Sequence, residues 1–341
     1  MKLSVGIIFA LVLSFAIAAL LGFVLIPWLR KLKFGQTILD IGPAWHKSKQ
    51  GTPVMGGIMF IVSSLVTFAG VMITDRLLGG HLLVGDSLVA DSVKVKIFAG
   101  IIMALGFGLI GFADDYIKVV KKRNLGLTIT QKSIAQIALM LAYLGALFMS
   151  GNTFMQIPFV GNVDLKWFFW IFGMAVIYLT VNAVNFTDGV DGLCASVTVT
   201  AAAAFVVIAV LKGFFGVGIL AACLAGACAG YLIWNWHPSK VMMGDTGSMF
   251  LGGMVVALAY AIDAPLIILF LGIIYVIEML SDVLQIGYFK ATHGKRIFKM
   301  APIHHHFEMC GWKEVKIVIV FSLINIIGCI VGVALFWFGQ K

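Results

Sequence analysis

Four short stretches carry side chains able to do chemistry in an otherwise apolar chain. Gly111–Lys118 reads GFADDYIK, with two adjacent carboxylates closing a long apolar run. Neighbouring side chains on a helix diverge, so Asp114 and Asp115 cannot pair on one face, whereas Lys118 can reach either. Two readings stand: a solvated helix end with a local ion pair, or concentrated negative charge for a divalent cation. A carboxylate at a helix C-terminus opposes the helix dipole, which favours the second. Asn182–Leu193 reads NAVNFTDGVDGL. Thr187 or Asp188 can cap a following helix. A capped helix start explains one Asp and one Gly but not two Asn (Asn182, Asn185), two Asp (Asp188, Asp191) and two Gly (Gly189, Gly192) together, and amides beside carboxylates suit a nucleobase, a sugar or a metal-bound water. Met242–Ser248, MMGDTGS, sets Asp245 between glycines before another apolar run. It reads as an N-cap or as a metal ligand at a helix start that favours phosphate. Ala301–Glu308, APIHHHFE, places His304, His305 and His306 in a row. Consecutive imidazoles seldom all reach one metal ion, so phosphate hydrogen bonding or acid–base work competes with a solvated loop. A fifth stretch, HKSKQGTPVMGG from His46, adds the cations Lys47 and Lys49.

The elements that must hold these groups follow from composition. Of 341 residues, 61% are hydrophobic and only 11% charged, against about 25% charged in a soluble domain. The charges cluster between apolar runs of roughly 17–25 residues, each able to cross a bilayer as a helix. The sequence therefore predicts an all-α, polytopic integral membrane protein. Strands of about ten alternating residues, the mark of a membrane barrel, do not occur. The net charge of +9 does not require nucleic acid, because Lys and Arg gather on cytoplasmic loops of membrane proteins. Cys194, Cys223, Cys228, Cys310 and Cys329 lie mostly in apolar runs without metal-type spacing and read as small core residues. The first run is too long for a signal-peptide core and reads as a spanning helix.

Ten spans are expected: Leu3–Trp28, Val54–Thr74, Ile97–Ala113, Ser133–Ser150, Trp167–Val181, Leu193–Leu211, Val217–Trp234, Ser248–Ile262, Pro265–Leu284 and Val315–Phe338. Most of the 24 Lys and Arg flank the exits of the odd-numbered spans. That bias places these loops in the cytoplasm and both termini outside. One transmembrane domain is expected, its site built from cytoplasmic loops 30–53, 114–132, 182–192, 236–247 and 285–314. The aspartates and histidines above fall on that same side.

Taken in order, HKSKQGTPVMGG, GFADDYIK, NFTDGVDGL, GDTGS and APIHHHFE resemble the polyprenyl-phosphate N-acetylhexosamine-1-phosphate transferase superfamily over nearly the whole chain. The PIHHHFE segment points to its bacterial peptidoglycan branch. One departure is Val54, where that family often has Thr. The resemblance implies that undecaprenyl phosphate attacks the β-phosphate of UDP-N-acetylmuramoyl-pentapeptide, releasing UMP and giving lipid I, with Mg²⁺ required. It implies Asp245 as metal ligand, with Asp114, Asp115 and His305 beside it in the catalytic set. Asn182, Asn185, Asp188 and Asp191 would line the uridine and diphosphate side. Lys49, Lys118, His304 and His306 would offset phosphate charge. The expected setting is the bacterial inner membrane, with the site facing the cytoplasm, membrane lipids as surroundings and no nucleic acid partner. A homodimer stays open. A related transferase acting on UDP-N-acetylglucosamine is the same-class alternative. A cation-coupled transporter is the alternative from another class, disfavoured because its site would lie near the bilayer midplane.

Overall fold

The computed structural model describes residues 1–32, 50–83, 90–120 and 126–339. Lys49 and the rest of HKSK lie outside the described residues. The chain is nearly all helical. The long helices are α1 (Leu3–Lys31), α2 (Ile58–Leu77), α3 (Ala90–Val120), α4 (Ile129–Met149), α5 (Phe168–Phe186), α6 (Leu193–Leu211), α7 (Phe215–Asn235) and α8 (Gly244–Ala261). Then follow the short α9 (Ile268–Leu271), α10 (Ile273–Ala291), the seven-residue α11 (Ile303–Met309) and α12 (Glu314–Gly339).

Among the described residues, eight helices are long and apolar enough to cross a membrane, or nine if the bent pair α9–α10 counts as one. The two pieces meet at 89° around Gly272, whose backbone is not helical. The run expected at Pro265–Leu284 is therefore broken. Helix α8, the remaining run, has 18 residues and a polar first turn around Asp245.

Three further differences bear on the site. Helix α3 continues past the apolar run through Asp114, Asp115 and Lys118, because polar residues at a bundle end do not stop a helix that has no Gly or Pro there. Helix α5 likewise includes Asn182 and Asn185, which therefore project from a helix and not from a loop. The histidine segment forms α11 inside the long connection from α10 to α12. One small antiparallel hairpin, β1 (Phe154–Ile157) and β2 (Gly161–Asp164), departs from the all-α expectation. Phe154 pairs with Asp164 in its register.

Helix α8 is the core. Every residue from Thr246 to Ala261 is buried, with α3 and α5 packed along it. Small residues permit this approach, as is usual where helices associate within lipid. A Cβ at Gly253 would come within 2.7 Å of Ala104 Cα on α3, and one at Gly111 within 2.1 Å of the Asp245 carbonyl oxygen. The first turn of α8 is thereby laid against the last turns of α3. At the opposite end of the bundle, Lys96 near the start of α3 is buried and paired with Asp263, just beyond α8. Lys212 after α6 stands 3.6 Å from the same carboxylate and donates to Gln156 of β1 (2.9 Å) and to the Ile262 carbonyl (2.7 Å).

Candidate active site

The divergence of adjacent helical side chains sends the two aspartates of α3 to different partners. Asp114 meets Lys118, one turn on, at 2.5 Å and accepts the Leu127 backbone N–H at 2.8 Å. Asp115 faces the start of α8. It accepts the backbone N–H groups of Asp245 (3.2 Å) and Thr246 (2.9 Å) and the Thr246 hydroxyl (2.7 Å). A carboxylate there satisfies donors that a helix start leaves unpaired and complements its positive end. Gly244 has φ +70, a left-handed conformation, and a Cβ on it would come within 2.5 Å of Asp115 Oδ2; both facts call for glycine.

Asp245 is the meeting point of four helices. Its Oδ2 lies 3.3 Å from Lys118 Nζ on α3 and 2.8 Å from Lys132 Nζ in the first turns of α4. Its Oδ1 accepts the Asn185 amide of α5 at 3.0 Å, and the same amide reaches Ser248 Oγ on α8 at 2.7 Å. One carboxylate oxygen from each of Asp114, Asp115 and Asp245 falls within 4.8 Å of the others. Three carboxylates held that closely repel unless cations intervene. Two ammonium groups stand against the three carboxyl groups, and hard carboxylate oxygens are the donors that Mg²⁺ takes. The residues present thus fit a divalent cation.

The other expected residues are arranged around this centre or away from it. Asn182 is half-buried and donates to the Tyr178 carbonyl at 2.8 Å. Asp188 stands in the turn after α5, its backbone N–H on the Asn185 carbonyl at 3.3 Å. Asp191 belongs to a separate cluster. It is buried, and its Oδ2 accepts from His237 Nδ1 and the Ser239 N–H, both at 3.1 Å. Its own N–H donates to Glu314 Oε2 at 3.1 Å. Asp191, His237 and Glu314 bring one ligand atom each within 4.8 Å of one another and join the α5–α6 loop to the α7–α8 loop and the start of α12.

The three histidines diverge around α11. His304 is fully buried and donates from Nδ1 to Glu278 Oε2 of α10 at 2.9 Å. His305 donates from Nδ1 to Glu308 Oε2 at 2.6 Å. His306 Nδ1 accepts the Lys299 N–H at 3.1 Å, with its ring against Phe298 and Phe307. Lys132, Glu278 and Glu314 are neighbours of these groups that lie outside the motifs, while Ser248 and Glu308 close two of the motifs without a role assigned from sequence. Only the fold supplies the partner of each.

Comparison with known proteins gives the family. Residues 97–263, which include Asp114, Asp115, Asn185 and Asp245, match the glycosyl transferase family 4 family. The chain is 44% identical over 329 residues to a phospho-N-acetylmuramoyl-pentapeptide-transferase of Acetivibrio thermocellus, covering 95% of this chain and 94% of that one. It is 43% identical over 332 residues to the protein of that name from Listeria welshimeri, covering 96% and 98%, and 40% identical over 329 residues to that of Shouchella clausii, covering 96% of each. An acidic centre built by four packed helices and similarity along almost the full length together place the chain in the phospho-N-acetylmuramoyl-pentapeptide-transferase family.

Proposed function

We propose that this protein transfers phospho-N-acetylmuramoyl-pentapeptide from UDP-N-acetylmuramoyl-pentapeptide to undecaprenyl phosphate, giving lipid I and UMP. The observation that carries the proposal is the convergence of α3, α4, α5 and α8 on Asp245, with Asp114, Asp115, Lys118 and Lys132 around it. Both substrates are anions and one is fixed in the bilayer, so a charged centre at the ends of apolar helices is where they can meet.

Phosphoryl transfer asks the protein for alignment and electrostatics more than for covalent chemistry. Asp245, with Asp114 and Asp115, would hold Mg²⁺, which supplies neutralisation of the diphosphate when bound. Lys118 and Lys132 bind phosphate oxygens, and Lys49 adds positive charge. Asn185 fixes the orientation of the Asp245 carboxylate, and Asp115 fixes the first turn of α8. Asn182, Asp188 and the loop to Asp191 take the uridine side. His305, held by Glu308, faces the sugar-phosphate as hydrogen-bond donor, with His304 and His306 beside it. A phosphate monoester with a second pKa of about 6 is already largely dianionic at neutral pH, so the acceptor needs little help from a base.

Ten crossings complete the reading, with α8 as the eighth and α9–α10 as the ninth. The excess of Lys and Arg near Asp114 and Asp245 sets that end in the cytoplasm and both termini outside. The test is a transfer assay in detergent with undecaprenyl phosphate and either UDP-N-acetylmuramoyl-pentapeptide or UDP-N-acetylglucosamine, with and without Mg²⁺. Lipid I formed only from the first donor and only with Mg²⁺ is expected. Transfer from UDP-N-acetylglucosamine alone overturns the substrate assignment.

A further inference from the structure

The Glu278–His304 pair is a costly object in the place where it lies. Both side chains are wholly buried, and an ionisable pair in such a site is often no more stable than apolar residues of the same shape. Among the described residues, Glu278 Oε1 and His304 Nε2 have no hydrogen-bond partner. A pair selected for stability alone would use those atoms.

The geometry shows what the pair does instead. With Nδ1 tied to Glu278, the far edge of the His304 ring is turned to Gly189 in the α5–α6 loop. A Cβ on Gly189 would fall 2.1 Å from Nε2 and 2.8 Å from Cε1. Gly189 does not have the left-handed backbone of Gly192, so what calls for glycine here is space. The ring edge is a stop against which the backbone between Asp188 and Asp191 rests. The same side of α10 continues the task seven residues later. Gln285 accepts the N–H groups of Ile297 and Phe298, both at 3.0 Å, and donates to the Phe298 carbonyl at 3.0 Å. Glu278 and Gln285 share a helix face at this spacing. One face of α10 therefore seats both the segment leading into α11 and the first imidazole of α11.

We infer that Glu278 is a positioning residue for binding of the uridine nucleotide: by orienting His304 against Gly189 it sets the α5–α6 loop. This rests on the reading above that the loop takes the nucleotide half of the donor. The role predicts a defect in one substrate only. Glu278→Leu fills the site without orienting the ring, so KM for UDP-N-acetylmuramoyl-pentapeptide rises about tenfold or more, as for a misplaced binding element. KM for undecaprenyl phosphate and kcat stay within about threefold of wild type. Glu278→Gln keeps an acceptor for Nδ1–H and restores most of the donor KM. Gly189→Ala drives the ring off its seat and gives the same donor defect. Glu278→Ala frees room for the displaced ring, so the Glu278→Ala/Gly189→Ala double variant is less impaired than the two single effects combined.

Unfolding temperatures in detergent of the wild type, Glu278→Ala, Gly189→Ala and the double variant give that coupling without any substrate. Absence of transfer by the wild type therefore overturns the functional reading, while the stop on Gly189 is still decided by the cycle. Strictly additive effects on unfolding overturn the stop. Unchanged donor KM in a folded Glu278→Leu protein, or equal rises in both KM values, overturns the positioning role. If Glu278→Leu does not fold, the donor KM of Gly189→Ala decides in the same way.

Discussion

Replacing Asp115 by Asn separates holding the aspartate centre from holding the fold. Asp115 accepts three hydrogen bonds through two oxygens. An amide whose single oxygen stays on Thr246 turns its NH₂ toward the Asp245 N–H, setting donor against donor. One bond to a charged group is lost, about 1.5–3 kcal/mol. The attraction of the carboxylate for the start of α8 goes with it, about 0.3–2 kcal/mol. The total loss is about 2–5 kcal/mol. Against this, the repulsion of Asp115 by the two neighbouring carboxylates disappears together with its attraction to Lys118, which leaves the equivalent of about one like-charge contact. At the 4.8 Å limit of the cluster and an effective dielectric of about 20, a single like-charge contact is worth about 3 kcal/mol. The opposing effects nearly cancel. Asp115→Asn is therefore expected to remain folded, its unfolding temperature in detergent within a few degrees of wild type. Its placement of Asp245 is not preserved, and misplacing a reacting constellation by about 1 Å costs on the order of 100-fold in rate. Transfer of radiolabelled donor to undecaprenyl phosphate should fall by at least about that factor. Near-normal turnover in a protein of normal stability would refute the argument that this carboxylate seats the first turn of α8.

Asp245→Asn should abolish transfer while leaving a monodisperse protein; EDTA should do the same to the wild type, and Mg²⁺ should restore only the wild type. Lys132→Met removes the ammonium 2.8 Å from Asp245, a charge-assisted bond of about 1.5–3 kcal/mol. It should lower kcat/KM by roughly tenfold or more, and unchanged kinetics would make Lys132 a solvated charge. Burial pulls the ammonium of Lys212 down to about 8 from its ordinary 10.5, with Asp263 opposing and Lys96 assisting. The unfolded chain then binds more protons between those values, so the strain is full below pH 8 and is relieved as pH rises toward 10.5. Unfolding temperature should rise across that window in the wild type and lack this rise in Lys212→Met; an identical profile in both would refute the assignment.

What could be read from sequence was what depends on local composition. Runs such as Leu193–Leu211 became helices with the expected limits, because an apolar stretch of that length has few other structures open to it in lipid. The approach of Asp114, Asp115 and Asp245 was legible only through the family resemblance, since each motif read by itself also fits a helix end or a cap. The hidden part is tertiary. The apolar stretch underestimates α3 and α5, whose last turns are polar because they face the site. The strands FMQI and GNVD are too short to show a period of two. Glu278 stands among apolar neighbours and belongs to no motif, and the row of histidines conceals that His304 turns inward and His305 toward Glu308. Lys132 could be credited to topology alone until α4 carried it beside Asp245.

The pairing of α3 with α8 has a consequence along its own length. Lys96 grips Asp263 past one terminus of α8, Asp115 grips the other, and close glycine contacts lie between. An α-helix of 18 residues spans about 27 Å, so the two rods are clamped at both extremities like a ruler read from either side. Axial sliding would break both grips together. A disturbance at Asp263 is thus transmitted as a change of register at the carboxylates.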